Sequence, residues 1–352
     1  MATLSEQIPA RLLPWYEQNR RALPWRGDRE PYHVWLSEIM LQQTRVEAVR
    51  GYYARFLAEL PDIAALAACP EDRLTKLWEG LGYYTRVRNL QKAARVIMND
   101  LGGEFPRTYD AIRALPGVGD YTAGAVASIC FEQPTPAVDG NVLRVVSRLL
   151  DDHRPTDDIR LRREYRDALA EVYPAGRCGD FTQALMELGA TLCGPNSAPR
   201  CESCPLAELC RGYQNGTAAS LPVRAAKKER RVEEKTVFFL RCGGACAVKK
   251  RPKTGLLAGL WELPNAPGLL TAQQAAEQAE RWGVRPQRLQ KSLERVHIFT
   301  HVRWQMRCYY MDCAEMAAGF VWADAARFAH DIALPTAFRM FWEPEEKGES
   351  GG

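Results

Sequence analysis

The sequence predicts two domains of different class: an all-α domain over about residues 1–212 and an α+β domain over about 235–345, joined by a linker at 213–234. Three observations carry this. A length of 352 residues is enough for about two domains at roughly 100–200 residues each. Apolar residues recur at helical spacing from residue 30 to residue 192. Beyond Cys210 that periodicity gives way to turn formers and charge, then to short β-type runs.

The first helical pattern contains Pro14, so a helix is expected to start or kink there. Trp35, Leu36, Ile39 and Met40 form one apolar stripe, and Val46, Val49, Tyr53, Phe56, Leu57 and Leu60 form the next. Between them Thr44 and Glu47 have the spacing of a capping box. Glu38 is thereby placed near a helix end, with a short polar loop after it. Pro70 suits the first position of another helix, which Gly80-Leu81-Gly82 ends. Val87, Leu90, Ala94, Ile97 and Leu101 follow, closed by Gly102-Gly103. Further helices are expected over 142–150 and 181–192. Gly212, Asn215-Gly216, Pro222 and the charge run from Arg224 to Lys235 read as linker. Strands are expected at 236–240, 245–249, 260–263, 296–301, 304–311 and 319–322, with helical patterns at 271–282 and near 335–342. Residues 346–352 read as a frayed tail.

With 46% hydrophobic residues, a largely disordered chain is excluded. No segment approaches the roughly 18 apolar residues of a membrane span. The start, Met1-Ala2-Thr3-Leu4-Ser5-Glu6-Gln7, lacks the basic-then-apolar pattern of a signal peptide. A soluble, cytoplasmic monomer is expected. Net charge names no partner: 47 Lys+Arg stand against 43 Asp+Glu, a net +4. The pI of about 8.4 is below the flag for nucleic-acid binders, roughly 9. Binding to DNA would need a local basic face. An odd count of 11 cysteines argues against a disulfide framework.

Four of those cysteines crowd together. Cys193, Cys201, Cys204 and Cys210 are separated by seven, two and five residues. Four thiolates so close in sequence can surround one soft metal centre, either [4Fe–4S] or tetrahedral zinc. Upstream, Leu115-Pro116-Gly117-Val118-Gly119 joins two helical stretches. Two glycines in five residues allow a tight turn with N–H groups facing outward, an anion-binding nest. The following helix, opening near Asp120 or Tyr121, adds its N-terminal dipole. Such a nest reads phosphate and not sequence. Asp139, in Pro136-Ala137-Val138-Asp139-Gly140-Asn141-Val142, would alone read as a helix N-cap. Glu38 would alone read as a polar residue at a helix end. Their joint occurrence with the hairpin and the cysteines makes both catalytic candidates.

The constellation resembles the adenine DNA glycosylases, the MutY family of the helix-hairpin-helix, iron–sulfur glycosylase superfamily. The resemblance rests on Ser37-Glu38-Ile39-Met40-Leu41-Gln42-Gln43-Thr44, Trp78-Glu79-Gly80-Leu81-Gly82-Tyr83-Tyr84, the hairpin, Asp139-Gly140-Asn141-Val142 and the four cysteines. It covers about residues 8–212 strongly and the second domain more weakly. It implies a helix-hairpin-helix glycosylase domain: a six-helix part at about 30–134, and an iron–sulfur part of about 1–29 plus 135–212. It also implies a [4Fe–4S] cluster that organises a DNA-contacting loop. One departure is the seven residues between Cys193 and Cys201, one more than the family pattern has.

Cleaving a bond between a sugar carbon and a base nitrogen passes through an oxocarbenium-like state. It calls for one acid on the leaving group and one carboxylate facing the sugar. The resemblance implies that Glu38 protonates adenine at N7, which needs a raised pKa from a dry pocket. Asp139 would stabilise or capture the C1′ cation, with Asn141 and Tyr121 holding Asp139 and the intermediate. Related glycosylase/lyases resembling endonuclease III have a Schiff-base lysine where Tyr121 stands. Without that nucleophile a monofunctional enzyme is expected. Adenine must also leave the duplex, at a cost of a few kcal/mol. By family position Gln43 and Tyr83 enter the stack, while Trp25, Arg26 and Gln183 line the adenine pocket.

The second domain resembles the Nudix fold, which in this family inspects 8-oxoguanine. Its one candidate for a Nudix hydrolase signature, Ala276-Glu277-Gln278-Ala279-Glu280-Arg281-Trp282-Gly283-Val284, lacks the signature arginine and has Arg281 where a metal-binding glutamate is needed. Magnesium-dependent hydrolysis is therefore not expected, and the domain reads as a lesion reader. Phe299-Thr300-His301 falls where the family has F-S-H, and Thr300 keeps the hydroxyl. Cys242 and Cys246 have no evident metal partners. The basic run Arg224, Lys227, Lys228, Arg230, Arg231 reads equally as a phosphate contact or a solvated face. The expected partner is duplex DNA containing A:8-oxoguanine or A:G. The rivals are a thymine or uracil mismatch glycosylase of the same superfamily, a non-catalytic iron–sulfur DNA-binding module, and a Nudix-type nucleotide hydrolase.

Overall fold

Residues 4–195, 198–224 and 229–342 are described by the computed structural model. The helical periodicity resolves into α1 (Leu4–Asn19), α2 (Pro31–Leu41), α3 (Val46–Glu59), α4 (Ile63–Ala68), α5 (Glu71–Leu77), α6 (Thr85–Asp100), α7 (Tyr109–Arg113), α8 (Asp120–Phe131), α9 (Gly140–Leu150), α10 (Ile159–Ala170), α11 (Cys178–Thr191) and α12 (Arg211–Gln214). Two compact units emerge: Met1–Ala68 with Arg88–Ala226, and Cys69–Val87 with Lys227–Gly352.

In the first unit, α1 contributes Ile8, Leu12, Leu13 and Tyr16 to a core shared with α9, α10 and α11. Of the two outcomes expected at Pro14, a start or a kink, the start is excluded: the helix spans Leu4–Asn19 and runs through both Pro9 and Pro14, because burial of that apolar face outweighs the backbone bonds that proline removes. Glu38 lies in the last turn of α2, as its spacing predicts. The Thr44/Glu47 capping box does not form. The N-cap of α3 is Arg45, with no side-chain cap bond, while the Thr44 hydroxyl donates to the Gln42 carbonyl at 3.3 Å. Gln43 explains this: its φ of 58° turns the chain tightly and draws Thr44 into the turn.

The hairpin between α7 and α8 takes its shape from Gly117. Its φ is +76°, and a Cβ there would stand 2.4 Å from the Asn89 Cβ, so no other residue fits. Gly119 is the N-cap of α8, and a Cβ there would meet nothing within 4 Å. Its bareness leaves open space in front of a helix N-terminus.

The second unit contains β1 (Arg231–Cys242), β2 (Ala245–Lys250), β3 (Trp261–Glu262), β4 (Asn265–Pro267), α13 (Ala272–Arg281), β5 (Pro286–Ile298), β6 (Val302–Cys313), β7 (Val321–Ala323), α14 (Ala325–His330) and α15 (Thr336–Arg339). The sheet order is β3-β2-β1-β6-β5, with β4 on β1 and β7 on β2. β1 and β6 pair in parallel from Arg231↔Val302 to Arg241↔Asp312. Both faces of this central pair are covered, so Thr236 to Leu240 are buried without a break. Val237, Phe239, Trp304, Met306, Cys308 and Tyr310 face Phe328 and Phe338 of the last two helices. Phe238, Leu240, Tyr309 and Met311 face Ala275 and Ala279 of α13.

Several expected boundaries move. The end of the charge run is strand, because β1 begins pairing at Arg231; Lys227 and Lys228 lie outside the described residues, as does the 346–352 tail. β5 begins ten residues earlier than the expected start at 296 and ends at Ile298. Its long polar stretch gives no apolar alternation to read. Phe299, Thr300 and His301 form the turn into β6, closed by the Phe299 N–H on the Val302 carbonyl at 2.8 Å. Pro70 is the N-cap of α5 and not its first residue. β4 and α14 were not anticipated.

Within this unit the segment around α5 is tied to the chain near Ile332. Lys76 Nζ is 2.6 Å from Glu79 Oε2 and donates to the Ile332 carbonyl at 3.2 Å. Glu79 Oε1 accepts the Leu334 N–H at 2.8 Å. Lys250 pairs with Asp72 at 2.8 Å.

Candidate active site

Eight of the candidate residues line one cavity of about 570 Å³ in the first unit: Trp25, Arg26, Glu38, Gln43, Tyr121, Asp139, Asn141 and Gln183. They come from six segments of chain, each placed by a local cause. The short helical turn Pro24–Arg26 opens on proline and buries Trp25, which packs edge-on against Tyr53 at 5.6 Å. Glu38 points from the end of α2, Tyr121 from the first turn of α8, and Gln183 from the middle of α11.

Glu38 is 5% exposed. Burial pushes its carboxyl from the usual 4.5 up to about 7; the Tyr121 hydrogen bond opposes this, and the charge of Asp139 adds to it. The Tyr121 hydroxyl donates to Glu38 Oε2. A carboxylic acid that keeps its proton near neutrality is suited to general acid chemistry.

Asp139 is the N-cap of α9: its Oδ1 accepts the Val142 N–H at 2.7 Å. The modest structural reading of this residue is therefore correct, and the same carboxyl also faces the cavity. Asn141 Nδ2 donates to Asp139 Oδ2 at 2.8 Å. Burial pushes the Asp139 carboxyl up, and these hydrogen bonds act against the rise. Asn141 is itself held, since Arg144 Nη2 donates to its Oδ1 at 2.9 Å. Arg144 Nε also donates to the Cys193 carbonyl at 2.6 Å.

Residues that sequence reasoning missed stand behind this wall. Glu187 is fully buried and pairs with both Arg21 and Arg26. Arg144 and Arg148 are each 3% exposed. Their only signal would have been charged residues on otherwise apolar helix faces.

The other candidates lie elsewhere. Gly117 and Gly119 form the hairpin described above. Tyr83 belongs to the second unit, where it is 48% exposed with φ of 46°. Gln43 and Tyr83 thus share left-handed backbone, a strained choice for such residues and a frequent mark of functional positions. The Tyr83 and Thr300 hydroxyls are 2.7 Å apart. Phe299 packs edge-on against Trp304 at 4.8 Å, and Arg230 Nε donates to the Phe299 carbonyl at 3.1 Å. Thr300 and His301 are left exposed at the tip of an anchored turn.

Cys193, Cys201, Cys204 and Cys210 line one small cavity together with Arg148 and Leu192. Burial pushes Cys204 up to about 11, and the other three cysteines raise it further. Four thiols gathered around one small cavity are a donor set that fits a soft metal cluster. Arg148 Nη1 donates to Cys193 Sγ at 3.1 Å. Among the described residues, no three His, Cys, Asp or Glu side chains gather as ligands of a single ion. Asn196 and Ser197, within the longer cysteine spacing, lie outside the described residues. None of the 11 cysteines forms a disulfide. Among the described residues no helix is long and apolar enough to cross a membrane.

Comparison with known proteins agrees with this geometry. Residues 36–170 match the family described as HhH-GPD superfamily base excision DNA repair protein, and residues 236–344 match the NUDIX domain. The adenine DNA glycosylase of Mus musculus is 36% identical over 97% of this chain and 79% of its own length. That of Homo sapiens is 34% identical over 97% and 74%. Among solved structures, a thermostable thymine-DNA glycosylase is similar with a TM-score of 0.54 and 31% identity, over 58% of this chain and 94% of its own. Endonuclease III in a non-covalent DNA complex gives 0.51 and 28%, over 61% and 99%. Identity of this order along most of both chains establishes that the protein belongs to the adenine DNA glycosylase family.

Proposed function

We propose that this DNA N-glycosylase hydrolyses the N-glycosidic bond of adenine mispaired with 8-oxoguanine or guanine in duplex DNA, and that it is monofunctional. The observation that carries the reading is the pairing of Glu38, whose burial raises its carboxyl to about 7, with the hydrogen-bonded carboxyl of Asp139. Two carboxyls in unlike surroundings supply one acid and one counter-charge.

In this reading the flipped adenine enters beside Trp25, Arg26 and Gln183. Glu38 gives its proton to N7, and the C1′–N9 bond breaks with its electron pair leaving on the base. The Asp139 carboxylate faces the cation that develops at C1′, stabilising or capturing it until water adds. Asn141 and Tyr121 hold these groups in place. Because Tyr121 stands where a lyase would need an amine, the product is an abasic site and not a cleaved strand. Gln43 and Tyr83 enter the base stack, the nest at Gly117 and Gly119 takes a backbone phosphate, and Phe299, Thr300 and His301 read the opposite purine. Cys193, Cys201, Cys204 and Cys210 would hold a [4Fe–4S] cluster. When bound, it supplies a rigid, charged anchor for its loop. A reducing compartment such as the cytoplasm suits 11 cysteines outside any disulfide.

A second reading, thymine excision, is favoured by the similarity to a thymine-DNA glycosylase; that likeness leaves the second unit unaccounted for. Excess protein should be incubated with duplexes carrying A:8-oxoguanine, A:G, T:G and thymine glycol, and base release scored with and without alkali. Release from the first two, visible as cleavage only after alkali, is expected. Release confined to thymine substrates would establish the second reading, cleavage without alkali would make it a lyase, and no release would make it a binding module.

A further inference from the structure

Two arginines of the adenine pocket assigned above, Arg21 and Arg26, share one buried carboxylate that the mechanism does not use. Glu187 is fully buried, on the same face of α11 as Gln183 and one turn further on. Its Oε1 accepts Arg21 Nε at 2.6 Å and the Arg21 N–H at 3.2 Å. Its Oε2 accepts Arg21 Nη2 at 3.0 Å and Arg26 Nη2 at 2.9 Å. Both oxygens are thus in use by two guanidinium groups, at distances typical of charge-assisted bonds.

Arg26 has little else to orient it. Among the described residues its Nη1 reaches only the Arg21 carbonyl, at a long 3.4 Å, and its guanidinium carbon lies 5.8 Å from the Tyr16 ring centroid. The Tyr16 hydroxyl in turn donates to Gln183 Oε1 at 3.2 Å. Arg21, Arg26 and Gln183 line the cavity, and Glu187 is not among its lining residues. A carboxylate outside the cavity lining therefore sits where the orientation of Arg26 is decided.

We infer that Glu187 is a positioning residue, which fixes Arg26 as a donor facing the base and leaves one net positive charge on the pocket wall. The inference rests on the pocket assignment above. A donor held in advance at an acceptor nitrogen of the purine costs no reorganisation when the base arrives. An unanchored arginine, with its many rotamers, would have to be ordered at that moment. Arg21 completes the arrangement by holding the carboxylate itself, so that Glu187 is gripped on one side and grips on the other.

The test is a double-mutant cycle on single-turnover base release from an A:8-oxoguanine duplex, with duplex affinity and thermal melting measured alongside. Glu187→Gln should lower the rate constant by about tenfold to a hundredfold, the scale of a misplaced catalytic contact, with duplex affinity unchanged. Arg26→Gln should lower it comparably. The double variant should be no slower than Arg26→Gln alone, because Glu187 acts through Arg26. Glu187→Asp keeps the charge but shortens the reach, and should lose rate in the same direction without lowering the melting temperature. It decides the matter if the glutamine variant does not fold. An unchanged rate in Glu187→Asp and Glu187→Gln, or losses that multiply in the double variant, would overturn the inference while leaving the pocket assignment intact. An unchanged rate in Arg26→Gln would overturn both.

Discussion

Replacing Glu38 by glutamine should make the protein more stable at neutral pH while ending its activity. The wild-type carboxyl rises from 4.5 to about 7 on folding, through burial. It therefore holds its proton more tightly in the folded state than in the unfolded one. Below pH 4.5 both states are protonated, and Glu38 takes nothing from stability. Between 4.5 and 7 the unfolded state ionises first, and stability falls by about 1.4 kcal/mol per pH unit. Above 7 both states are ionised and the loss levels off at about 3 kcal/mol. Glutamine has no proton to lose and keeps an acceptor for the Tyr121 hydroxyl. The difference in unfolding free energy, Glu38→Gln minus wild type, should grow by about 3 kcal/mol from pH 4.5 to pH 7.5 and then stay flat. Urea unfolding of both proteins across that range, followed by tryptophan fluorescence, measures it. Subtraction cancels every group that titrates alike in the two proteins. Altered packing or hydrogen bonding in the variant gives a constant offset, not a slope. A flat difference across pH 4.5–7.5 would refute the claim that Glu38 is a dry, proton-bearing acid.

Other outcomes follow from the same geometry. On the proposed role of Glu38 as the acid, the single-turnover rate should fall about tenfold per pH unit above about 7; a rate that rises there would assign Glu38 the role of base. Asp139→Asn and Asp139→Ala should both slow base release by at least about a hundredfold, but only the alanine variant should also lose the α9 cap, about 0.5–2 kcal/mol by chemical denaturation. Gly117→Ala should destabilise the first unit by about 1–3 kcal/mol, since it combines a φ of +76° with a Cβ 2.4 Å from Asn89; a melting temperature equal to wild type would refute that. Cys204→Ser should remove most of the bound iron and sulfide, read by chemical iron analysis of freshly purified protein.

What could be read in the sequence was what local chemistry writes into a few adjacent residues. Glu38 before its polar loop, the two glycines of the hairpin and Asp139 at a helix start all keep the places their motifs predict. What could not be read depends on distant partners or on backbone shape. Glu187 meets Arg21 across 166 residues, and nothing near either residue advertises the other. Gln43 and Tyr83 adopt left-handed backbone, although neither residue type signals it. A strong local motif also misled: Thr44 and Glu47 have capping-box spacing, yet the turn at Gln43 claims Thr44 first. In the second unit, β1 and β6 were legible because burial on both faces forces a continuous apolar run. Most of β5 is exposed, so its extent is decided by backbone pairing with β6 and leaves little trace in composition.

The two carboxyls of the cavity are not supported in the same way, and the difference bears on what the cysteine loop does. Glu38 is held by burial and one hydroxyl, a local arrangement that a distant change would leave intact. Asp139 is held by a chain of contacts: Asn141 on its Oδ2, Arg144 on Asn141, and the Cys193 and Gly189 carbonyls on Arg144, at 2.6 and 2.7 Å. Arg148, one turn along α9, repeats the pattern on Cys193 Sγ and the Gly194 carbonyl. The loop carrying the four cysteines is thus two side chains from the Asp139 carboxyl. A shift of that loop would move Arg144 and loosen Asn141 before it reached the core of the unit. Loss of a cysteine should therefore lower the rate of base release at temperatures where the helices are still folded. Glu38, outside this chain of contacts, should keep its pH dependence in the same variant.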